Sequence, residues 1–154
     1  MLTEELKNEI AHHIHDEAHR QAACTEALRI VQKERGWISD ESLKDIADFL
    51  GMTIHELDSI ATFYNLIHRR PVGRHVIRLC SSVSCWVMGY DPLRDALLKK
   101  LGVQLGEMTA DGRFTVLPHQ CLGACDRGPV MMIGVDTHRD VKIEELDQLL
   151  SQYQ

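Results

Sequence analysis

Apolar residues recur every three or four positions through the first part of the chain: Leu2, Leu6, Ile10 and Ile14, then Ala27, Leu28 and Val31, then Leu43, Ile46, Ala47 and Leu50. That spacing puts one apolar stripe on one side of each segment, so the chain up to about residue 68 predicts a small helical bundle. The breaks agree with it. Gly36 and Gly51 follow two of the runs as C-terminal stops, and Asp40 is placed to cap the third. Thr53-Ile-His-Glu56 has the form of a capping box, opening a fourth helix through Leu57, Ile60 and Ala61.

At Pro71-Val-Gly-Arg74 the pattern changes from helical spacing to alternating strand and helix. His75-Val-Ile-Arg-Leu79 predicts a strand running into Cys80, and Asp91 to Leu101 a helix with Pro92 in its first turn and Gly102 beyond its end. Asp111-Gly112 marks a turn, Phe114-Thr-Val-Leu117 and Val130-Met-Met-Ile133 predict two further strands, and residues 143–150 an amphipathic helix. The expected organisation is residues 1–70 as a helical bundle and residues 71–154 as a compact two-layer α/β domain, an α+β / α/β chain overall.

Composition narrows the class. The 154 residues are 44% hydrophobic and 26% charged, enough to bury a core in one domain or two small ones. No run approaches the roughly 20 apolar residues of a membrane span, and Met1-Leu-Thr-Glu-Glu-Leu-Lys lacks the layout of a secretory signal, so a cytoplasmic location is expected. A net charge of −6, with no basic run beyond Arg69-Arg70, argues against a nucleic-acid partner.

The chemistry lies in the cysteines. Cys24 stands alone in a helical run and reads as a small buried hydrophobe. The other four form two tight groups, Cys80-Ser-Ser-Val-Ser-Cys85 and Cys121-Leu-Gly-Ala-Cys125, with 35 residues between them, each following a predicted strand. Such grouping in a cytosolic chain points to metal before disulfides. A [2Fe–2S] cluster needs two thiolates on each iron, which two short loops from neighbouring strand ends can supply from opposite sides. Small spacers, Ser81, Ser82, Ser84, Gly123 and Ala124, leave backbone N–H groups free to approach the sulfurs. A structural zinc site is the sharpest rival, although its pairs are more often two residues apart, and four free thiols are the third reading. No C-x-x-C occurs, which disfavours a dithiol reductase.

Other candidates weigh less. His12, His13, His15 and His19 crowd the first helix, but an apolar stripe already occupies one face and the two-histidine zinc-protease pattern is absent. His119 lies two residues before Cys121, near enough to tune a cluster or simply to face solvent. Trp86 can shield a cluster from water, and Trp37 reads as core between helices. Asp40, Glu41, Asp45 and Asp48 read as a solvated helix face, and Arg127 is the cation nearest the second pair. No Gly-x-Gly-x-x-Gly follows a predicted strand and no P-loop exists, so flavin or dinucleotide binding is expected of a partner.

Gly36-Trp-Ile, Ala61-Thr-Phe-Tyr64, Pro71-Val-Gly-Arg-His-Val-Ile-Arg, the C-x4-C pair, Asp111-Gly-Arg-Phe-Thr115 and Cys121-Leu-Gly-Ala-Cys-Asp-Arg-Gly-Pro129, in this order, resemble one family along nearly the whole chain. It is the E subunit of bacterial NADH:quinone oxidoreductase, respiratory complex I. The resemblance implies a helical N-terminal domain and a thioredoxin-like [2Fe–2S] ferredoxin domain, with Cys80, Cys85, Cys121 and Cys125 as cluster ligands. It further implies pairing with a flavin-containing, NADH-binding F subunit that holds FMN and NAD(H), in a peripheral arm on the cytoplasmic face of the inner membrane. Similar subunits occur in NAD-linked formate dehydrogenases and hydrogenases, the runner-up assignment.

Overall fold

The structure, a computed structural model, describes residues 1–15 and 19–154, and His15 by its backbone alone. The chain forms two compact units, Met1–Pro71 and Val72–Gln154. Among the described residues, no helix is long and apolar enough to cross a membrane.

The first unit contains α1 (Glu4–His15), a 3-10 turn at Arg20–Ala23, α2 (Cys24–Arg35), α3 (Asp40–Leu50) and α4 (Ile54–Phe63). The helical stripes read from the sequence meet in one core, where Leu6, Ile10, Leu28, Val31, Leu43, Ile46, Leu50 and Leu57 are buried. Cys24 is buried with them, as expected of a small apolar side chain. Thr53 and Glu56 form the capping box: the Glu56 N–H donates to Thr53 Oγ1 at 3.2 Å, and the Thr53 N–H donates to Glu56 Oε2 at 2.9 Å.

Three local expectations change. Ser39, not Asp40, caps α3, because its hydroxyl accepts from the Ser42 N–H at 3.1 Å and leaves Asp40 as the first helical residue. Trp37 is half-buried rather than core; the fully buried place belongs to Ile38, which is fixed by its N–H on the His68 carbonyl at 2.8 Å. Asp40 is more than a solvated residue, since Arg69 binds Asp40 at 2.6 Å and Asp58 at 2.7 Å, and also donates to the Ile38 carbonyl. One guanidinium thereby ties the start of α3 to α4.

The second unit runs β1 (His75–Cys80), α5 (Val83–Val87), α6 (Tyr90–Leu101), β2 (Phe114–His119), β3 (Met131–Ile133), β4 (Asp136–His138) and α7 (Leu146–Leu150), with 3-10 turns at Cys125–Arg127 and Ile143–Glu145. Its sheet has the order β2-β1-β3-β4. β1 and β2 are parallel, whereas β3 is antiparallel to β1 and β4 to β3. Ile77, Leu79, Leu93, Leu97, Val116, Met131, Ile133 and Leu146 fill the core between sheet and helices. β2 extends past the expected Leu117 through Pro118; it is an edge strand, where a residue without an N–H costs no ladder bond on the open side. α5 and β4 have no counterpart in the sequence reading. α5 is a single short turn, and β4 is three polar residues folded back by the two-residue Gly134-Val135 connection. The closing segment is helical only from Leu146, after a 3-10 turn.

Candidate functional site

Both halves of the site begin at the same end of the sheet. Cys80 is the last residue of β1 and pairs in register with His119, the last of β2, two residues before Cys121. Parallel pairing of adjacent strands therefore delivers both cysteine segments side by side. Ser81 fastens them: its N–H and its hydroxyl both donate to the His119 carbonyl, at 2.9 and 3.1 Å. The Cys80 N–H donates to the Val130 carbonyl at 3.0 Å, which holds the start of the first segment against the residue that leads into β3.

Cys85 lies on α5 rather than in an open loop, and the helical turn brings it back toward Cys80. Both are 1% exposed. Cys121 and Cys125 are exposed, with sulfurs 3.2 Å apart, and the Gly123 N–H points at Cys121 Sγ at 3.3 Å. Ser82 Oγ is 3.1 Å from Cys80 Sγ. The segments also pack across: Ala124 is buried in one cluster with Cys80, Cys85 and Val130, and Leu122 packs against it. The four thiols so form one group made of an inner pair and an outer pair. Among the described residues, no three histidine, cysteine or carboxylate groups close around the position of a single metal ion.

The two thiols within each pair differ. Burial pushes Cys80 up, but hydrogen bonds from the Ser82 hydroxyl and the Ser82 and Leu122 N–H groups outweigh it and hold the thiol below its ordinary value. Burial and the neighbouring Cys80 push Cys85 up. In the outer pair, hydrogen bonds from Cys125 and the Gly123 N–H lower Cys121, while Cys121 raises Cys125.

Gly128 forms the floor of the inner pair. A Cβ there would sit 3.1 Å from Met88 Sδ, which would have to give by a few tenths of an ångström, and in ordinary contact with Cys85 Sγ at 3.4 Å. The Gly128–Pro129 peptide is cis. Arg127 turns to Asp140, with Nη2 2.5 Å and Nε 2.7 Å from Oδ2, so its charge is balanced there. Trp86 is 58% exposed and donates its indole N–H to Asp91 at 2.9 Å; it does not bury the thiols within this chain. His119 is half-buried with Nδ1 3.0 Å from the Gln120 carbonyl. His12 and His13 stack on the exposed side of α1, His19 is exposed, and the side chain of His15 lies outside the described residues.

The serine hydroxyls are the functional groups that the sequence reading missed. It counted Ser82 and Ser84 as small spacers that free the backbone, whereas the Ser82 hydroxyl itself lies 3.1 Å from Cys80 Sγ. The available signal was their type: three serines within a four-residue spacer supply donors that alanine or glycine would not.

The family model described as thioredoxin-like [2Fe-2S] ferredoxin matches residues 8–154. The chain is 50% identical over 144 residues to the E subunit of the NADH-quinone oxidoreductase of Escherichia coli strain K12, covering 94% of this chain and 87% of that one. With the corresponding NADH-quinone oxidoreductase protein of Pseudomonas aeruginosa it shares 44% identity over 153 residues, covering 99% and 92%. Among solved structures, an NAD+-reducing [NiFe]-hydrogenase in the air-oxidized state has a similar fold, with a TM-score of 0.69 at 22% identity. That match covers 82% of this chain and 22% of the hydrogenase chain. With its helical unit, its mixed four-stranded sheet and this degree of identity, the chain belongs to the thioredoxin-like [2Fe–2S] ferredoxin family, among the E subunits of NADH-quinone oxidoreductases.

Proposed function

We propose that this chain is an electron-transfer subunit of an NADH:quinone oxidoreductase, in which Cys80 and Cys85 hold one iron of a [2Fe–2S] cluster and Cys121 and Cys125 hold the other. The observation that carries the reading is the gathering of two thiol pairs at the ends of adjacent parallel strands, the inner packed in one buried cluster and the outer with its sulfurs 3.2 Å apart. Donor type fits: thiolates suit iron–sulfur clusters, and two ligands per iron match two pairs. A tetrahedral zinc site would draw four ligands to one point, a different arrangement from two pairs.

The cluster supplies one-electron chemistry. The chain supplies the rest. Four thiolates bring four negative charges, and the arginine nearest in sequence is already engaged by Asp140, so N–H and O–H donors from Ser82, Leu122, Gly123 and Val130 offset them. The buried inner pair and the exposed outer pair give the site one dry side and one side open to an electron partner.

A hydride carries two electrons, whereas this site handles one at a time, so a flavin has to stand between NADH and the chain. We assign that flavin, FMN, and the NAD(H) site to an F subunit, in an assembly peripheral to the cytoplasmic face of the inner membrane. The hydrogenase likeness keeps an NAD-linked hydrogenase or formate dehydrogenase as the second home, but at 22% identity it speaks for the fold, against 50% and 44% for the quinone oxidoreductase subunits.

Anaerobic purification of the chain, with iron, sulfide and zinc analysis and a visible spectrum, tests the cofactor. The expected result is two irons and two sulfides per chain; zinc without sulfide overturns it. Dithionite should bleach the isolated chain, and NADH should do so only after the flavin subunit is added. Bleaching by NADH at a catalytic rate in the absence of flavin would show the chain to be catalytic toward NADH itself.

A further inference from the structure

Ser82 occupies the N-cap position of α5, where a serine hydroxyl ordinarily accepts from the N–H of the second or third helical residue. Here it makes no such bond. Its oxygen lies 3.1 Å from Cys80 Sγ, a sulfur of the inner pair. Ser81 next to it bonds only to backbone, at the His119 carbonyl. Two adjacent hydroxyls thus do different things: one fastens the loops, the other faces the thiols.

We infer that Ser82 is a positioning residue for electron transfer, whose hydroxyl donates to the Cys80 sulfur and sets the reduction potential of the site. The inference rests on the cluster reading above. A sulfur bound to iron carries no proton, so the only hydrogen in the Ser82 contacts belongs to serine, and serine is the donor. A hydroxyl has one proton, and Cys80 Sγ is the sulfur it meets. One-electron reduction adds a negative charge shared with the thiolates, and a donor to charged sulfur binds more strongly than one to neutral sulfur. The Ser82 hydroxyl therefore favours the reduced state and raises the potential. Because the helix does not use that hydroxyl as a cap, and because φ −71° and ψ 162° suit alanine, its removal spares the fold.

The test is a redox titration of the loaded full-length chain as wild type, Ser82→Ala, Ser82→Thr and Ser81→Ala, with the electron paramagnetic resonance spectrum of each reduced protein. Ser82→Ala is expected to lower the potential by a several-fold change in the one-electron equilibrium, where tenfold corresponds to about 59 mV. Its spectrum should change as well. Ser82→Thr, which keeps the hydroxyl, should restore both, and Ser81→Ala should leave the potential in place. Loss of iron from Ser82→Ala with full loading of Ser82→Thr would also support the hydroxyl's role. An unshifted or raised potential in a loaded Ser82→Ala overturns the inference, as does failure of both Ser82 variants to load. A wild type that binds no iron instead overturns the cofactor reading on which the inference stands.

Discussion

Gly73 stands so close to Phe114 that a Cβ on the glycine would fall 2.6 Å from the Phe114 carbonyl carbon and 2.7 Å from its nitrogen. The approach seats the Gly73 N–H on the buried Thr115 hydroxyl at 2.9 Å, just before β1 begins to pair with β2. Gly73→Ala has only backbone to push against, so β1 and β2 must separate at their start. Destabilisation on the order of 1–3 kcal/mol is expected. A thermal melt that follows loss of cluster absorbance should show the lowered midpoint, and an unchanged one would disprove the contact.

Single Cys→Ser changes separate ligands from bystanders. At position 80, 85, 121 or 125 serine should distort or abolish the visible spectrum and lower the iron content. Cys24→Ser, in the core of the other unit, should keep both while costing about 1–3 kcal/mol, because a buried hydroxyl there replaces an apolar contact. Unchanged iron in two or more of the four variants would sink the ligand assignment.

Removing the metal should reveal the asymmetry of the pairs. Cys121 and Cys125 are exposed and have sulfurs 3.2 Å apart, whereas Cys80 and Cys85 are shut away. Treated with glutathione disulfide, the apo chain is expected to form a Cys121–Cys125 bond: two thiols give up two electrons and two protons, and the oxidant leaves as two glutathione thiols. Peptide mapping should find this bridge first and the inner pair still alkylatable after unfolding. A Cys80–Cys85 bridge appearing first would contradict the order.

The capping box predicts an acid response in the helical unit. Hydrogen bonds from the Thr53 side chain and N–H hold the Glu56 carboxyl below its ordinary value. A depressed folded value stabilises above the unfolded one, about 4.3, and that contribution disappears as pH falls through the folded value. Thr53→Ala should lose about 1 kcal/mol at neutral pH, the usual worth of an N-cap side chain. Helix melts followed by circular dichroism should show the gap between variant and wild type narrowing as pH falls below about 4.3, and a gap that widens there would reverse the sign.

The helical unit was legible because its signals are local: apolar stripes, Gly36, Gly51 and the Thr53 box each act within a turn or two. The cysteine pairs were legible by spacing, and the strands that lead to Cys80 and Cys121 by their apolar runs. What escaped depends on distant partners. The Ser39 cap is a local exception, closed within three residues, whereas Asp40 is held from far along the chain by Arg69. Three polar residues become β4 only because β3 lies beside them. Arg127 looked like a free charge until the fold brought Asp140 to it.

The pairing of Cys80 with His119 has a bearing on which length changes the chain can accommodate. Of the 35 residues between the cysteine pairs, only those of β2 are held to the register of β1; residues added to the turn around Asp111-Gly112 would leave both strand ends where they are. One residue added inside β1 or β2 is another matter. Side chains alternate faces along a strand, so a single insertion between His75 and Leu79 would either carry Cys80 past its neighbour or turn it to the opposite side of the sheet. Drift in loop length is therefore compatible with a working site, while the count of residues along these two strands is fixed by where the sulfur must emerge.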